Sequence, residues 1–128
     1  MGHLSFKVLA GDYTIHRLAP ASDVPTGLGG AAFASISRTD DETTVVCPGS
    51  IDLQAEQSNP GWSVLQVIGP LDFSLTGILA DISQVLSEKD ISLFAISTWD
   101  TDYFLIKSGE RERAIKALIS AGHSLAEK

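Results

Sequence analysis

The order of apolar patterns after residue 61 limits the folds open to this chain more than any other feature. Residues 62–69 are apolar and rich in Val, which is typical of a strand covered on one or both faces. Apolar residues then recur at spacings of three and four, which predicts a helix with one buried stripe: Leu75, Ile78, Leu79, Ile82, Val85 and Leu86.

The same region continues with two strands and a second helix. Residues 91–97 and 103–107 predict strands joined by a turn at residues 99–102. A second helical stripe follows the last of these strands: Ala114, Ile115, Leu118 and Ile119. The order β-α-β-β-α is four-fifths of a ferredoxin-like β-α-β-β-α-β unit.

The helix ends carry recognisable residues. Ser74 or Asp72 can cap the first helix and Ser108 the last one, because their side-chain oxygens accept from the free amides of a first turn. Gly122 is predicted as the residue that follows the last helix's C-cap. Gly77 falls inside the predicted first helix, where glycine costs about 1 kcal/mol relative to alanine. Close approach of a ligand and tight packing of the helix on the sheet both explain it.

The first sixty residues predict mostly strands. Residues 4–9 and 13–18 are β-prone around Gly11-Asp12, which predicts a hairpin or a sharply bent strand. Residues 19–30 are rich in Pro and Gly and predict an irregular loop.

A second hairpin and a linker complete this half. Residues 32–38 and 43–47 predict strands around the polar turn 39–42. Residues 48–61 are polar and contain Pro60-Gly61, so they are predicted to link the two halves.

A weak internal repeat relates the halves at a shift of 60 residues. Ile36-Ser37 aligns with Ile96-Ser97, and Asp40 aligns with Asp100. We therefore expect residues 1–60 to be a degenerate, mostly β half and residues 61–128 to be the more complete domain. Two unrelated hairpins of similar period would align about as well, so the repeat is a hypothesis.

Composition excludes several classes of function. The 128-residue chain carries a net charge of −7 and no Lys/Arg cluster, which argues against a nucleic-acid partner. No apolar run approaches the roughly 18 residues of a membrane span, so we expect no membrane partner. The single Cys47 lies between apolar neighbours and predicts a buried thiol, with no intramolecular disulfide. With no signal-peptide pattern at its start, the chain is expected to be cytoplasmic.

Few residues are suited by type and spacing to catalysis or metal binding. His3, His16 and His123 stand in no catalytic or metal-ligand spacing, and Asp100 is typical of a turn. We expect no enzyme, no metal and no cofactor. The start of the predicted first helix is a better candidate for a binding site. The free amides of a helix start lie at the positive end of the helix dipole and favour an anion.

Two segments carry a family resemblance. Residues 69–80 read GPLDFSLTGILA, and residues 96–106 read ISTWDTDYFLI. Together they resemble the ACT-domain superfamily, in particular the ACT-like domains of the CASTOR arginine sensors and small bacterial tandem-ACT proteins. Residues 35–42 and 46–48 resemble the first half of those bacterial proteins. The resemblance implies an α+β fold of tandem ferredoxin-like β-α-β-β-α-β units, with antiparallel sheets, helices on one face and a degenerate first unit.

The resemblance also implies a function. ACT domains bind amino acids or related small molecules, commonly as homodimers, without catalysis. By similarity the ligand lies between a helix start and a turn, and the candidate contacts on this chain are Gly77, Ile78, Leu79, Thr98, Trp99 and Asp102. Asp102 would face a cation of the ligand.

One difference from the arginine-binding unit leaves the identity of the ligand open. The arginine-binding unit has an acidic residue two positions before its glycine, and Leu75 stands there in this chain. An alternative function is an ACT-fold module for dimerisation or protein interaction whose ligand site is vestigial.

Overall fold

The computed structural model describes residues 3–68 and 77–126. These residues form an α+β fold with the following elements: β1 (Ser5–Val8), β2 (Tyr13–Leu18), β3 (Ser35–Arg38), β4 (Thr43–Pro48), β5 (Gln57–Val67), α1 (Ile78–Ser87), β6 (Phe94–Ser97), β7 (Asp102–Lys107), α2 (Arg111–Ser120) and β8 (Ser124–Leu125). A short 3₁₀ turn, Ser108–Glu110, leads into α2.

Two compact units can be distinguished. The helical unit contains the chain up to Ala10 and from Ser63 onward, and the strand unit is Gly11–Trp62. The sequence predicted a division into residues 1–60 and 61–128, which differs at the N-terminal end because β1 belongs to the helical unit. The tandem origin of the two units remains a hypothesis.

The sheet of the helical unit is mixed and has the order β8-β1-β5-β7-β6. β1 pairs antiparallel with β5, with Phe6 opposite Val67, and parallel with the short β8. An antiparallel sheet was expected, and the sequence pattern predicted no strand after the second helix, where the ferredoxin-like unit has its last strand. β1 supplies that strand beside β5 from the other end of the chain.

Both helices cover one face of this sheet. Ile82 and Leu86 of α1 and Ala114 and Leu118 of α2 are buried in one apolar cluster. The sheet contributes alternate residues of its strands to the same cluster, as the period of two requires: Phe6, Leu65, Val67, Phe104 and Ile106. Among the described residues, the helix patterns in the sequence identified the core face correctly except at Leu79 and Ile119, which are 48% and 51% exposed.

The two ends of α2 differ in how well they were predicted. Gly122 has φ of 101°, its amide donates to the Ile119 carbonyl (3.0 Å), and the His123 amide donates to the Leu118 carbonyl (3.1 Å). This is a Schellman C-terminus, and it confirms the prediction for Gly122. Ser108 was predicted wrongly as a cap: α2 has no side-chain cap, and the Ser108 hydroxyl lies 3.0 Å from that of Ser63.

The strand unit has the strand order β3-β4-β2-β5. The predicted hairpin is confirmed by pairing of Ile36 with Val45, and its turn is closed by a bond of 2.9 Å from the Thr39 amide to the Glu42 carbonyl. A small core of Leu18, Val45 and Cys47 lies on one face.

The structure bears on two predictions for the N-terminal half. Of the two alternatives for the runs around Gly11, the hairpin is wrong, because β1 and β2 do not pair with each other. Both runs pair antiparallel with β5, as a sharply bent strand would. The predicted linker is partly strand, since β5 already begins at Gln57. Its register shifts against β2 near Pro60-Gly61, where Gly61 has φ of 82°. A β-bulge accommodates both the missing proline donor and the left-handed glycine.

Candidate functional site

The start of α1 provides the first half of the candidate site. Gly77 is the N-cap residue with φ of 83°, and its carbonyl accepts from the Asp81 amide at 2.8 Å. The prediction that Gly77 lies inside the helix is therefore wrong. The left-handed backbone costs a residue with a Cβ roughly 1–2 kcal/mol, and this conformation itself explains the glycine. The caps predicted at Asp72 and Ser74, like Leu75, lie outside the described residues.

The first turn of α1 presents backbone donors. The amides of Ile78 and Leu79 belong to the first turn, where helix geometry offers no carbonyl partner within the helix. The side chain of Ile78 is buried and that of Leu79 is 48% exposed, which corrects the prediction that Leu79 belongs to the buried stripe. Backbone donors at the positive end of the helix dipole are chemically suited to a carboxylate or another small anion.

The turn between β6 and β7 provides the second half. The amide and the hydroxyl of Thr98 both donate to the Thr101 carbonyl, at 2.9 and 3.1 Å. Ser97 and Asp102 are opposite each other where the two strands meet the turn, and the Ser97 hydroxyl donates to Asp102 Oδ1 at 2.6 Å. The turn thus presents a carboxylate held in one orientation by its neighbour.

Trp99 lies at the tip of this turn. Its side chain is 79% exposed, so the indole does not fill the interior of the helical unit. Phe73, the other residue that the sequence suggested as a plug for the site, lies outside the described residues.

Thr101 anchors the turn to the sheet. Its side chain is buried, and its hydroxyl donates to the Val67 carbonyl at 2.6 Å. Val67 is the last residue of β5, the strand after which the chain continues to the start of α1. Sequence reasoning missed Thr101, because one threonine in a polar turn resembles its exposed neighbours. The paired threonines at positions 98 and 101 were the available signal.

The six predicted residues fall into two groups. Gly77, Ile78 and Leu79 lie together at the start of α1, and Thr98, Trp99 and Asp102 lie together in the β6–β7 turn. The described hydrogen bonds of Thr98 and Asp102 stay within their own turn. That the two groups share one ligand is a proposal.

Two concave regions of the helical unit lie away from the six predicted site residues. A shallow apolar crevice is lined by Phe6, Leu118 and Leu125 among others, and an open depression near the end of α1 is lined by Ser87 and Asp90 among others. Neither lining includes a predicted site residue.

The titratable groups include one buried thiol. Burial raises the pKa of the Cys47 thiol above its ordinary value, which keeps the thiol protonated and confirms a buried rather than reactive cysteine. Within residues 3–68 and 77–126, no cluster of three or more His, Cys, Asp or Glu side chains could hold a metal ion. None of the helices in this part of the chain has the length and apolar composition to cross a membrane.

Comparison with known proteins identifies the family. A family model of the ACT domain matches residues 57–120, and a second family model, of an N-terminal domain, matches residues 11–51. No curated protein sequence matches the chain. Because the ACT match spans half of its length, the chain belongs to the ACT-domain family, a family of regulatory domains.

Solved structures share the fold. A protein from Agrobacterium tumefaciens is 37% identical over 100% of this chain and 96% of its own, with a TM-score of 0.91. The aspartate kinase of Clostridium acetobutylicum is 13% identical over 94% of this chain and 35% of its own, with a TM-score of 0.70. The regulatory subunit of aspartate kinase from Thermus thermophilus is 11% identical over 91% of this chain and 96% of its own, with a TM-score of 0.63.

Replacing Thr101 with valine tests the anchor of the turn. Thr101→Val keeps the side-chain volume but leaves the Val67 carbonyl without the 2.6 Å bond, so we expect unfolding to become easier by about 1–3 kcal/mol. Urea denaturation measures this change. Thr98→Val is the matched control, because its hydroxyl bond is duplicated by its own amide and its loss should matter less. Equal effects of the two variants would contradict an anchoring role specific to Thr101.

Proposed function

We propose that this protein is a non-catalytic ACT protein that binds an amino acid and regulates a partner according to its presence. The proposal is carried by one observation above the others: a chain of the ACT family combines a glycine-capped helix start with an anchored turn that presents a carboxylate. The structural likeness to a regulatory subunit of aspartate kinase supports a regulatory role.

A zwitterionic ligand fits the chemistry of the two groups. The amides of Ile78 and Leu79 would donate to the ligand's carboxylate, with Gly77 leaving room beside the helix start. A carboxylate has two oxygens, so the bond from Ser97 to Oδ1 of Asp102 leaves capacity at Oδ2 for an ammonium or guanidinium donor. Thr98 and Trp99 would line the site on the same side as Asp102.

The oligomeric state and compartment are part of the same proposal. We propose a cytoplasmic homodimer, as the family resemblance implies. A module that serves only for dimerisation or partner docking is the second candidate, and it is favoured by apolar exposure on one side of the helical unit: Ile119 is 51% exposed and Leu125 is 43% exposed. A dimer in sedimentation experiments, together with no response to any amino acid, would favour that module.

A stability screen tests amino-acid binding. The thermal unfolding of the protein is measured with each common amino acid at millimolar concentration. A ligand present at 100 times its dissociation constant should raise the free energy of unfolding by about 2.7 kcal/mol. No stabilisation by any of them would contradict the proposal.

The turn offers a matched pair of variants for this screen. Asp102→Asn should reduce the stabilisation strongly, because it removes the charge proposed to face the ligand's cation. Asp100→Asn makes the same change of charge at an exposed neighbour in the same turn and should preserve the response. An equal loss in both variants would mean that net charge, rather than contact with Asp102, controls binding.

A further inference from the structure

His123 is buried at the junction of three parts of the helical unit. It directly follows Gly122 after the C-terminus of α2, and its amide donates to the Leu118 carbonyl at 3.1 Å. The side chain is only 3% exposed and packs edge-on against the Phe6 ring, with centroids 5.8 Å apart. Backbone and packing together fix where the imidazole points.

The neighbours of the imidazole determine which nitrogen carries the proton. The Leu4 amide donates to His123 Nδ1 at 3.1 Å, so Nδ1 must present a lone pair. The neutral ring therefore carries its hydrogen on Nε2. That nitrogen faces Asp81 Oδ2 at 3.5 Å, a favourable electrostatic contact longer than an ordinary hydrogen bond.

Asp81 connects this junction to the candidate ligand site. It lies in the first turn of α1, and its amide makes the 2.8 Å bond to the Gly77 carbonyl. Its carboxylate is favourable at the positive end of the helix, and His123 limits where that carboxylate can lie. The imidazole therefore faces a side chain of the same first turn in which the amides of Ile78 and Leu79 have no carbonyl partner within the helix.

We infer that His123 is a positioning residue for the ligand-binding end of α1. Leu4 selects the tautomer, the tautomer directs a donor at Asp81, and Asp81 holds the first turn against the end of α2. A helix start held in this way presents its amides in one orientation, which reduces the ordering required when a ligand binds. The consequence for binding rests on the proposed function, whereas the consequence for the helix start does not.

Two substitutions separate the two nitrogens of the ring. His123→Asn places an amide oxygen where Nδ1 accepts from Leu4 and removes the donor toward Asp81. His123→Gln places an amide nitrogen where Nε2 faces Asp81 and removes the acceptor for Leu4. Each variant is the matched control of the other, because both replace the ring with a side-chain amide.

Hydrogen exchange of backbone amides, measured by NMR on the full chain without ligand, reads out both contacts. In His123→Asn we expect the Asp81 amide to exchange about fivefold faster, as loss of about 1 kcal/mol implies, while the Leu4 amide stays within about twofold. In His123→Gln we expect the reverse. An unchanged Asp81 amide in His123→Asn, or equal acceleration throughout the helical unit, would overturn the inference and leave His123 as a packing residue.

Variants of Asp81 keep the test decisive if the histidine variants fold poorly. Asp81→Ala leaves the ring and its bond from Leu4 in place, so it should accelerate exchange at the Ile82 amide about fivefold. Asp81→Asn loses the same charge at the helix start but retains an acceptor for Nε2, so it should accelerate exchange clearly less than Asp81→Ala. Equal exchange in these two variants would overturn the inference.

The last measurement is a dissociation constant. Its ligand is the amino acid that stabilises the wild type most. His123→Asn should raise its dissociation constant about threefold to tenfold and His123→Gln less than about twofold. Equal affinities despite altered exchange would overturn the positioning role. Failure of every amino acid to stabilise the wild type would contradict the proposed function, while the exchange data would still decide whether His123 holds the helix start.

Discussion

Phe6→Ala is expected to lower the free energy of unfolding by about 3–5 kcal/mol, the usual range for removing a buried phenylalanine side chain. Phe6 is 2% exposed and belongs to the main core of the helical unit. Its ring packs among residues from β5, β7 and both helices, and the substitution would leave a cavity that these elements fill only in part. Since small domains are stable by about 5–15 kcal/mol, this one change removes a large part of the total.

Urea denaturation followed by circular dichroism measures this effect. Ile119→Ala is the matched control, because it also truncates a large apolar side chain of the helical unit but at a position that is 51% exposed. We expect the control to cost under about 1 kcal/mol, as surface substitutions usually do. A Phe6 variant as stable as the control would mean that β1 contributes little to the core.

The Phe6 result also tests where the helical unit begins. A domain made only of residues 61–128 would lack this side chain and the strand that pairs with β5. The order of strands and helices after residue 61 could be predicted, because periodicity is a property of neighbouring residues. The pairing of Phe6 with Val67 could not, since it joins residues about sixty positions apart and leaves no local pattern.

Local chemistry explains the errors at Pro60-Gly61 and Gly77. Pro60-Gly61 was interpreted as part of a linker, and Gly77 as a costly residue inside a helix. In the structure each glycine has a positive φ, at a bulge of β5 and at the N-cap of α1. Each therefore shapes an element rather than ending it, and only the backbone conformation distinguishes these outcomes.

The candidate site was predictable in part. Family resemblance led to the start of α1 and to Asp102, but it did not indicate Thr101, Ser97 or His123. Thr101 and His123 contact residues that are distant in the sequence, Val67 and Asp81, whereas Ser97 bonds to its cross-strand neighbour Asp102. The paired threonines at positions 98 and 101 were a local signal for the turn, but a single sequence carries none for the contacts to Val67 and Asp81, because these partners come together only when the helical unit folds.

His16 gives the strand unit a predicted dependence on pH. The residue is 6% exposed on β2, and its Nδ1 lies 2.8 Å from the Ser58 hydroxyl. Its Nε2 is buried and has no hydrogen-bond partner among the residues that the structure describes. Burial lowers the pKa of His16 below its ordinary value of 6.5, because a proton on Nε2 would place an uncompensated charge in the interior.

The direction of this pH dependence follows from proton uptake by the folded and unfolded states. Below about pH 6.5 the unfolded chain binds a proton at His16 before the folded chain does, so acid favours unfolding. The contribution of His16 to stability is fully present above that pH and is lost as the pH falls toward and through the lowered folded pKa. Between the two pKa values the slope approaches about 1.4 kcal/mol per pH unit.

His16→Asn isolates this effect, because asparagine places a polar atom near the position of Nδ1, within reach of Ser58, but does not titrate. Urea denaturation of both proteins between about pH 8 and pH 5 stays above the range in which most carboxylates titrate. The wild type should start as the more stable protein, and its advantage should shrink as the pH falls, because only the wild type must bury a proton or unfold. A difference in stability that stays constant across this range would show that the folded chain accommodates protonated His16, and that its buried Nε2 finds a partner when charged.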